Sequence, residues 1–427
     1  MATTPASNAI KSAGDVDIRD VTLISSKGFA QSITPQVVGI EIFEDIFATF
    51  ITGRLMLRES QDLSNILPLI GEEIVRLDIR TPSLADSEAL VGEFYIYKME
   101  GKKKTSEREV IYSLFFISKE AIVDLNKNVP KAFEGLPSEI IEQICLDTEY
   151  GLQTTKPIFI ESTSNKIKYV SNFWSPTQNI QYVCDHALTT YDSPTFLFFE
   201  NKYGLNFVAL ESMYTSGPLK QRFIQDNYTA EVSSGGGSRR DITKDYQRIL
   251  ELDTPNTFNY MERLQSGMYG SEIITYDLLT QTYNHVGYSP VFEDHTHLNM
   301  FPLSTNGIVA QTKAVVIHGR KYYNNFEGFG DVSDVTIIQK RRSLLAQAEA
   351  FKVIITVFGR LDYSVGQRMI LDIPKNAQIR RDDSEPEDKI MSGVYLVAAL
   401  CHMISPTDGH QCVLELIKDS FMVDMNG

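Results

Sequence analysis

The sequence predicts a mostly β fold with α+β additions, built on two similar antiparallel β units. Three observations predict it. Residues 47–117 and 351–417 each read as four strands in the same order. Glycines open the second and third strand of each set, Gly71 and Gly92 in the first, Gly366 and Gly393 in the second. Both second strands carry the same core, Leu77-Asp78-Ile79 and Leu371-Asp372-Ile373, after a one-residue shift between Gly71 and Gly366. A repeat of this length changes the reading of the whole chain, so it is taken first.

The first set is FATFITGRLML (Phe47–Leu57), VRLDIRTP (Val75–Pro82), EFYIYKM (Glu93–Met99) and REVIYSLFFI (Arg108–Ile117). Val37–Glu44 (VVGIEIFE) alternates ahead of it and starts that sheet, because alternation buries one strand face and leaves the other wet. Gly101–Glu107 (GKKKTSE) reads as a hairpin tip. Leu63–Leu69 reads as a turn or short helix, and residues 1–20 as a loose arm. The second set is FKVIITVF (Phe351–Phe358), MILDIP (Met369–Pro374), VYLVAAL (Val394–Leu400) and HQCVLELI (His410–Ile417). Ser271–Thr280 is expected to be its counterpart of Val37–Glu44, which makes the second unit discontinuous.

Between the sets the character changes. Pro137-Ser138-Glu139 starts a helix with Ile140, Ile141, Ile144 and Cys145 at helical spacing, and Gly151 suits its C-terminal cap. Ser175-Pro176 starts a clearer one, since serine caps a free N–H and proline at the first position lacks a donor. Its apolar stripe is Ile180, Val183, Cys184, Ala187 and Leu188. A hairpin follows, Thr195–Glu200 and Leu205–Leu210, joined by the four-residue loop Asn201–Gly204. Ser233–Ser238 (SSGGGS) reads as a linker or loop tip. Thr254–Gly267 reads as a short helix capped by glycine, and Arg341–Ala350 as a helix leading back into the sheet. The expected domains are 1–120, a first β domain; 121–258, a mixed α/β peripheral domain; 259–282 with 341–427, a discontinuous second β domain; and 283–340, a loop-rich insertion.

Charge narrows the function. The chain has 427 residues, net charge −15 and 43% hydrophobic residues. It can bury a sizeable core, and it lacks the basic stripe of a nucleic-acid-binding module. No apolar run reaches the roughly 20 residues a spanning helix needs. MATTPASNAIKSAG has no apolar segment of the kind a secretion signal carries. Cys145, Cys184, Cys401 and Cys412 form no C-x-x-C pair and read as reduced thiols, with Cys401 and Cys412 on neighbouring strands.

No sequence pattern marks a reactive centre. There is no G-x-S-x-G, H-E-x-x-H, G-x-x-x-x-G-K or G-x-G-x-x-G. His295 and His297, two apart, would share a face if on a strand and so could share a metal. With no third ligand at a recognisable spacing, they and His285 read as part of a solvated insertion. The doublets Glu72-Glu73 and Asp382-Asp383 read as solvated faces, and Lys102–Lys104 as a solubilising run. The expectation is no catalytic, cofactor or metal residue. A structural or interaction protein is favoured over an enzyme.

Four stretches carry a family likeness: Asn179–Met213, Glu262–Tyr283, Ala350–Pro374 and Ser392–Ser420. In their order the chain resembles the central baseplate hub proteins of contractile-tailed phages, which are related to the first part of type VI secretion spikes. The resemblance covers nearly the whole chain. It departs in the acidic loop Arg380–Lys389 and in the histidine-bearing insertion. It implies two tail-tube-like β-barrel domains and a homotrimer joining a six-fold tail tube, or a tube adaptor, to a three-fold central spike. It also implies DNA passing through the lumen without specific binding. The location implied is the virion tail baseplate, after assembly in the host bacterial cytoplasm. Asp78 and Asp372, at equivalent places in the repeat, are candidates for a pore or inter-subunit position. The competing readings are a hub with its own peptidoglycan-degrading activity and a carbohydrate-binding appendage, the latter weakened by the single indole, Trp174.

Overall fold

Alternation produces the sheet. The strand Phe351–Phe358 buries every second residue along its whole length, and Thr52–Glu59 does the same. The computed structural model describes residues 10, 12–60, 69–106, 109–225, 242–256, 259–277, 281–290, 295–302, 314–319, 334–375 and 387–424. The readings made for 1–9, 63–68, 233–238, 293–294 and 380–386 fall outside these residues.

The chain opens with β1 (Asp17–Ile24), β2 (Ala30–Ser32), β3 (Val37–Asp45), β4 (Thr52–Glu59), β5 (Ile74–Arg80), β6 (Leu90–Lys104) and β7 (Val110–Ser118). All pairings among them are antiparallel, in the order β3-β4-β7-β6-β5-β1-β2. β6 runs on through Lys104, so the Gly101–Glu107 segment expected as a hairpin tip is mostly strand. Glu73 is also not a solvated residue: it is buried, and its carboxylate accepts the N–H groups of Ile70 and Gly71 at 2.7 and 2.9 Å.

A mixed lobe follows: α1 (Lys119–Leu125), β8 (Ala132–Gly135), α2 (Pro137–Leu146), β9 (Ile158–Ile160), β10 (Ile167–Val170), α3 (Pro176–His186), β11 (Phe196–Asn201), β12 (Gly204–Ala209) and α4 (Leu210–Ser216). Ser175 caps α3 by accepting from the Gln178 N–H, while the Gln178 side chain reaches back. The α2 cap is Asp147, not Gly151. Gly151 instead packs under the helix end, where a Cβ would stand 2.1 Å from the Ile144 carbonyl oxygen. The β11–β12 loop is two residues rather than four, because Asn201 already pairs with Gly204. Gly204 has φ +144° and no room for a Cβ beside the Pro157 carbonyl, 2.2 Å away. Ile140, Ile144, Ile180, Val183, Phe196 and Phe207 form this lobe's own core.

Next come β13 (Leu219–Ile224), α5 (Ile242–Gln247) and β14 (Ile249–Asn256), then α6 (Tyr260–Ser266), β15 (Ser271–Asp277), β16 (Thr282–Tyr288), β17 (Phe301–Pro302), β18 (Ala314–Gly319) and α7 (Asp334–Ala348). The chain closes with β19 (Phe351–Phe358), β20 (Arg368–Asp372), β21 (Gly393–Ser405), β22 (Gly409–Lys418) and β23 (Ser420–Phe421). α6 ends on Gly267 in the left-handed conformation, as the sequence suggested.

The pairing corrects the expected second unit. β15 is not the counterpart of β3: it lies between β16 and β18 in a separate three-stranded sheet, both its edges occupied. The strand on the outer edge of β19 is β14. The second unit is therefore β14-β19-β22-β21-β20, matching β3-β4-β7-β6-β5 strand for strand. One irregularity coincides. The β6 ladder slips at Tyr97 and the β21 ladder at Ala398, each in the fifth place after the glycine of a Leu–Gly match, Leu77 with Gly92 and Leu371 with Gly393, while β6 alone slips again between Glu100 and Lys103. Bulges re-aim a strand, so equal placement means equal bending.

Each unit has its own core, with Leu55 and Leu77 in the first and Ile355 and Leu371 in the second. Leu55 and Ile355 occupy equivalent places and are fully buried. Leu55→Ala and Ile355→Ala should each cost about 2–5 kcal/mol. In urea unfolding the double variant should lose the sum to within about 0.5 kcal/mol, as separate cores require.

Lys418 ends β22 fully buried among the rings of Tyr395, Phe421 and Phe351, its Nζ donating to the carbonyls of Ile390 and Ser392. Burial pushes its pKa down to about 7 from 10.5. The unfolded chain then holds more protons above pH 7, so stability rises with pH there, by up to about 1.4 kcal/mol per unit. Melting temperature measured from pH 7 to 9 should rise in the wild type, and Lys418→Met should flatten that rise.

Candidate assembly interface

The two units are joined edge to edge. β21 is long enough to serve two neighbours on one side: residues 393–396 pair with β20, and 399–404 pair with β3. Ile40, Ile42 and Glu44 of β3 stand opposite Ile404, His402 and Leu400. This makes one sheet, β14-β19-β22-β21-β3-β4-β7-β6-β5-β1-β2.

Glu44 pins the seam. It lies on the buried face of β3 and accepts from the Ser364 hydroxyl at 2.8 Å, the Val365 N–H at 3.2 Å and the Lys202 N–H at 3.0 Å. One carboxyl thus joins the first unit, the second unit and the β11–β12 turn. Burial raises its pKa despite these donors. Lys202, also buried, bonds Glu88 at 2.6 Å and the Leu361 carbonyl, and burial lowers its pKa. Sequence reading missed this junction. The available signal was a glutamate in phase with Ile40 and Ile42 on an alternating strand.

The repeat then identifies two further edges. In the second unit the place of β3 is held by β14, and in the first unit the place of β21 is held by β6. Among the described residues β14 pairs only with β19, and on the edge of β6 away from β7 no strand lies beyond its pairing with β5, from Tyr97 to Lys104. Glu251 and Asp253 of β14 are exposed, as are Lys102, Lys103 and Lys104 of β6. Pro255 within β14 suits an edge strand, since it has no N–H to donate.

The predicted site residues lie elsewhere. Asp78 is on β5 and Asp372 on β20, each between buried neighbours, Leu77 with Ile79 and Leu371 with Ile373. Both carboxylates therefore face away from the cores. Each is matched by an arginine, Asp78 by Arg80 at 2.9 Å and Asp372 by Arg222. His295 and His297 are not on a strand. His297 bonds Asp419 at 2.6 Å, while His285 on β16 bonds Glu272 at 2.9 Å. His285 and His297 are thus held by different carboxylates. Cys401 and Cys412 lie on opposite faces of the β21–β22 hairpin, since Cys412 pairs with His402 and Cys401 with Val413.

No family model and no curated relative matches the sequence. Solved structures do match the fold. A 43 kDa tail protein of prophage MuSo2 from Shewanella oneidensis aligns with TM-score 0.55 at 11% identity, over 94% of this chain and 99% of that one. A tail protein from Neisseria meningitidis aligns with TM-score 0.53 at 14% identity, over 94% and 96%. An E. coli type VI secretion component, described as similar to T4 bacteriophage tail proteins gp27 and gp5, aligns with TM-score 0.45 at 10% identity, over 94% and 76%. The chain has the mostly β fold of phage tail proteins.

Proposed function

We propose that this chain is the central hub subunit of a phage tail baseplate, three copies closing a ring through which DNA passes. The supporting observation is the internal seam. β3 of one unit joins β21 of the other, and the repeat leaves the equivalent pair unjoined, β14 at one end of the sheet and the free stretch of β6 three strands in from the other end. Pairing β14 of one copy with β6 of the next repeats the seam and gives both of these edges a partner, as ring closure requires.

Registers carried over from the seam make this specific. Glu41 pairs with Met403 inside the chain. Asp253 holds the place of Glu41 and Lys103 that of Met403, so Asp253 of one copy meets Lys103 of the next. Leu252 likewise meets Lys104. Acidic β14 thus faces the lysine run of β6, a complementary match of the kind that stabilises cross-strand pairs. The run read as solubilising has a second use here.

The number three comes from the resemblance to hubs: two units in each of three copies present six similar edges to a tail tube or tube adaptor, and three chain ends to a central spike. The role is structural rather than enzymatic, in the virion tail baseplate, with assembly in the host cytoplasm. Asp78 and Asp372 take a pore or inter-subunit position on the face away from the cores. Because each is matched by an arginine, repulsion of DNA falls to the chain's net charge of −15 as a whole.

Light scattering on the purified chain, alone and with its spike, should give a mass three times 48.2 kDa. Lys102→Glu, Lys103→Glu and Lys104→Glu together should weaken assembly about tenfold or more, at up to about 1 kcal/mol per cross-strand pair. Adding Glu251→Lys and Asp253→Lys should restore it. A monomer under both conditions, or no rescue by the swap, contradicts the proposal.

A further inference from the structure

The β21–β22 hairpin gathers three donor side chains that the assembly does not use. Cys412 stands directly across the ladder from His402, and His410 lies two residues before Cys412 on the same face. His402 Nδ1 is 2.9 Å from His410 Nε2, and Cys412 Sγ is 3.2 Å and 3.4 Å from those two nitrogens. All three residues are fully buried. Three soft or borderline donor atoms therefore form one closed triangle, the sole such group of metal-ligating side chains among the described residues.

As a plain hydrogen-bonded cluster the arrangement is poor. The ring–ring contact needs one imidazole to donate and the other to accept, so the accepting ring carries its own proton on its far nitrogen. The far nitrogens, His402 Nε2 and His410 Nδ1, have no hydrogen-bond partner. Whichever tautomers form the ring–ring bond, an imidazole N–H is left buried and unsatisfied, an arrangement proteins rarely keep without a reason. The ring position is nonetheless held firmly. The His410 N–H donates to the Gly14 carbonyl and its carbonyl accepts from Gly359, both at 2.8 Å. A Cβ on Gly359 would fall 2.3 Å from the His410 ring.

We propose that His402, His410 and Cys412 hold one closed-shell thiophilic metal ion, copper(I) or zinc(II). Imidazole and thiolate donors select these ions. Binding forms one metal–sulfur and two metal–nitrogen bonds and breaks the S–H bond, the proton leaving to solvent; no electron is transferred. Copper(I) with the thiolate makes a neutral unit that needs no fourth donor. Zinc(II) would keep one positive charge, opposed by Glu44 and Asp362, whose fields act on Cys412, and would take a water as fourth ligand. Either ion ties β21 to β22 where His402 faces Ile42 of β3, at the seam between the two units.

The test loads the full-length chain with zinc(II), or with copper(I) under reductant, and removes excess ion on a chelating column. Elemental analysis then gives the ions retained per chain. Wild type and Cys401→Ser should each retain one ion and melt at a higher temperature than before loading. Cys412→Ser and His410→Gln should lose affinity by about tenfold or more. Retention of copper alone, zinc alone or both supports the site and names its ion. Cobalt(II) added to the wild type should show a thiolate-to-metal charge-transfer band, which decides the matter even if the variants do not fold. No retention of either ion, equal retention in folded Cys412→Ser, or zinc retention with no such cobalt band overturns the proposal.

Discussion

The structure depends on how strand edges are satisfied at β21. An extended strand carries donors and acceptors along both edges, and each needs a partner. β21 solves this by length. Its first part completes the second unit with β20, and its later part takes β3 from the first unit. The bulge at Ala398 lies between the two pairings, where the strand has to turn from one neighbour to the other. The domain arrangement follows from that single strand.

Buried polar groups then fix the seam and the mixed lobe. Hydrophobic contacts alone are tolerant of small slips, whereas a buried carboxylate needs its donors in place. Glu44 has three donors from two distant parts of the chain, Lys202 and Ser364–Val365. A second group does the same for the lobe: Lys156 bridges Glu120 at 2.7 Å and Glu200 at 2.6 Å, while Glu200 also accepts the Ile51 N–H of the first unit at 3.1 Å. Burial works against the Lys156 charge, but the two carboxylates overcome it and raise its pKa. Removing one partner of such a set leaves a buried charge uncompensated, which costs more than an exposed pair would.

Much of this was legible because period-2 patterning survives in a strand that packs on one side. Phe351–Phe358 has the observed bounds, and the shared Leu-Asp-Ile cores mark equivalent strands. β14 was illegible for a physical reason. ILELDTPN is acidic and holds a proline, and its last three residues read as the start of the helix Thr254–Gly267, yet an edge strand tolerates both features. The apolar SEIITYDLLT looked the better sheet strand, but local propensity does not say which sheet a strand joins. The metal-ligand triangle escaped for a similar reason: His402 is eight or more residues from its partners, and only cross-strand register brings them together.

The central claim is that the seam inside the chain recurs between copies. Electron microscopy of purified particles, reconstructed without imposed symmetry, tests it most directly. The account predicts three copies carrying six similar β units, with β14 of each copy hydrogen-bonded along Tyr97–Lys104 of the next and Asp253 beside Lys103. Any other number of copies, or a ring in which β14 and the end of β6 face solvent, would contradict it.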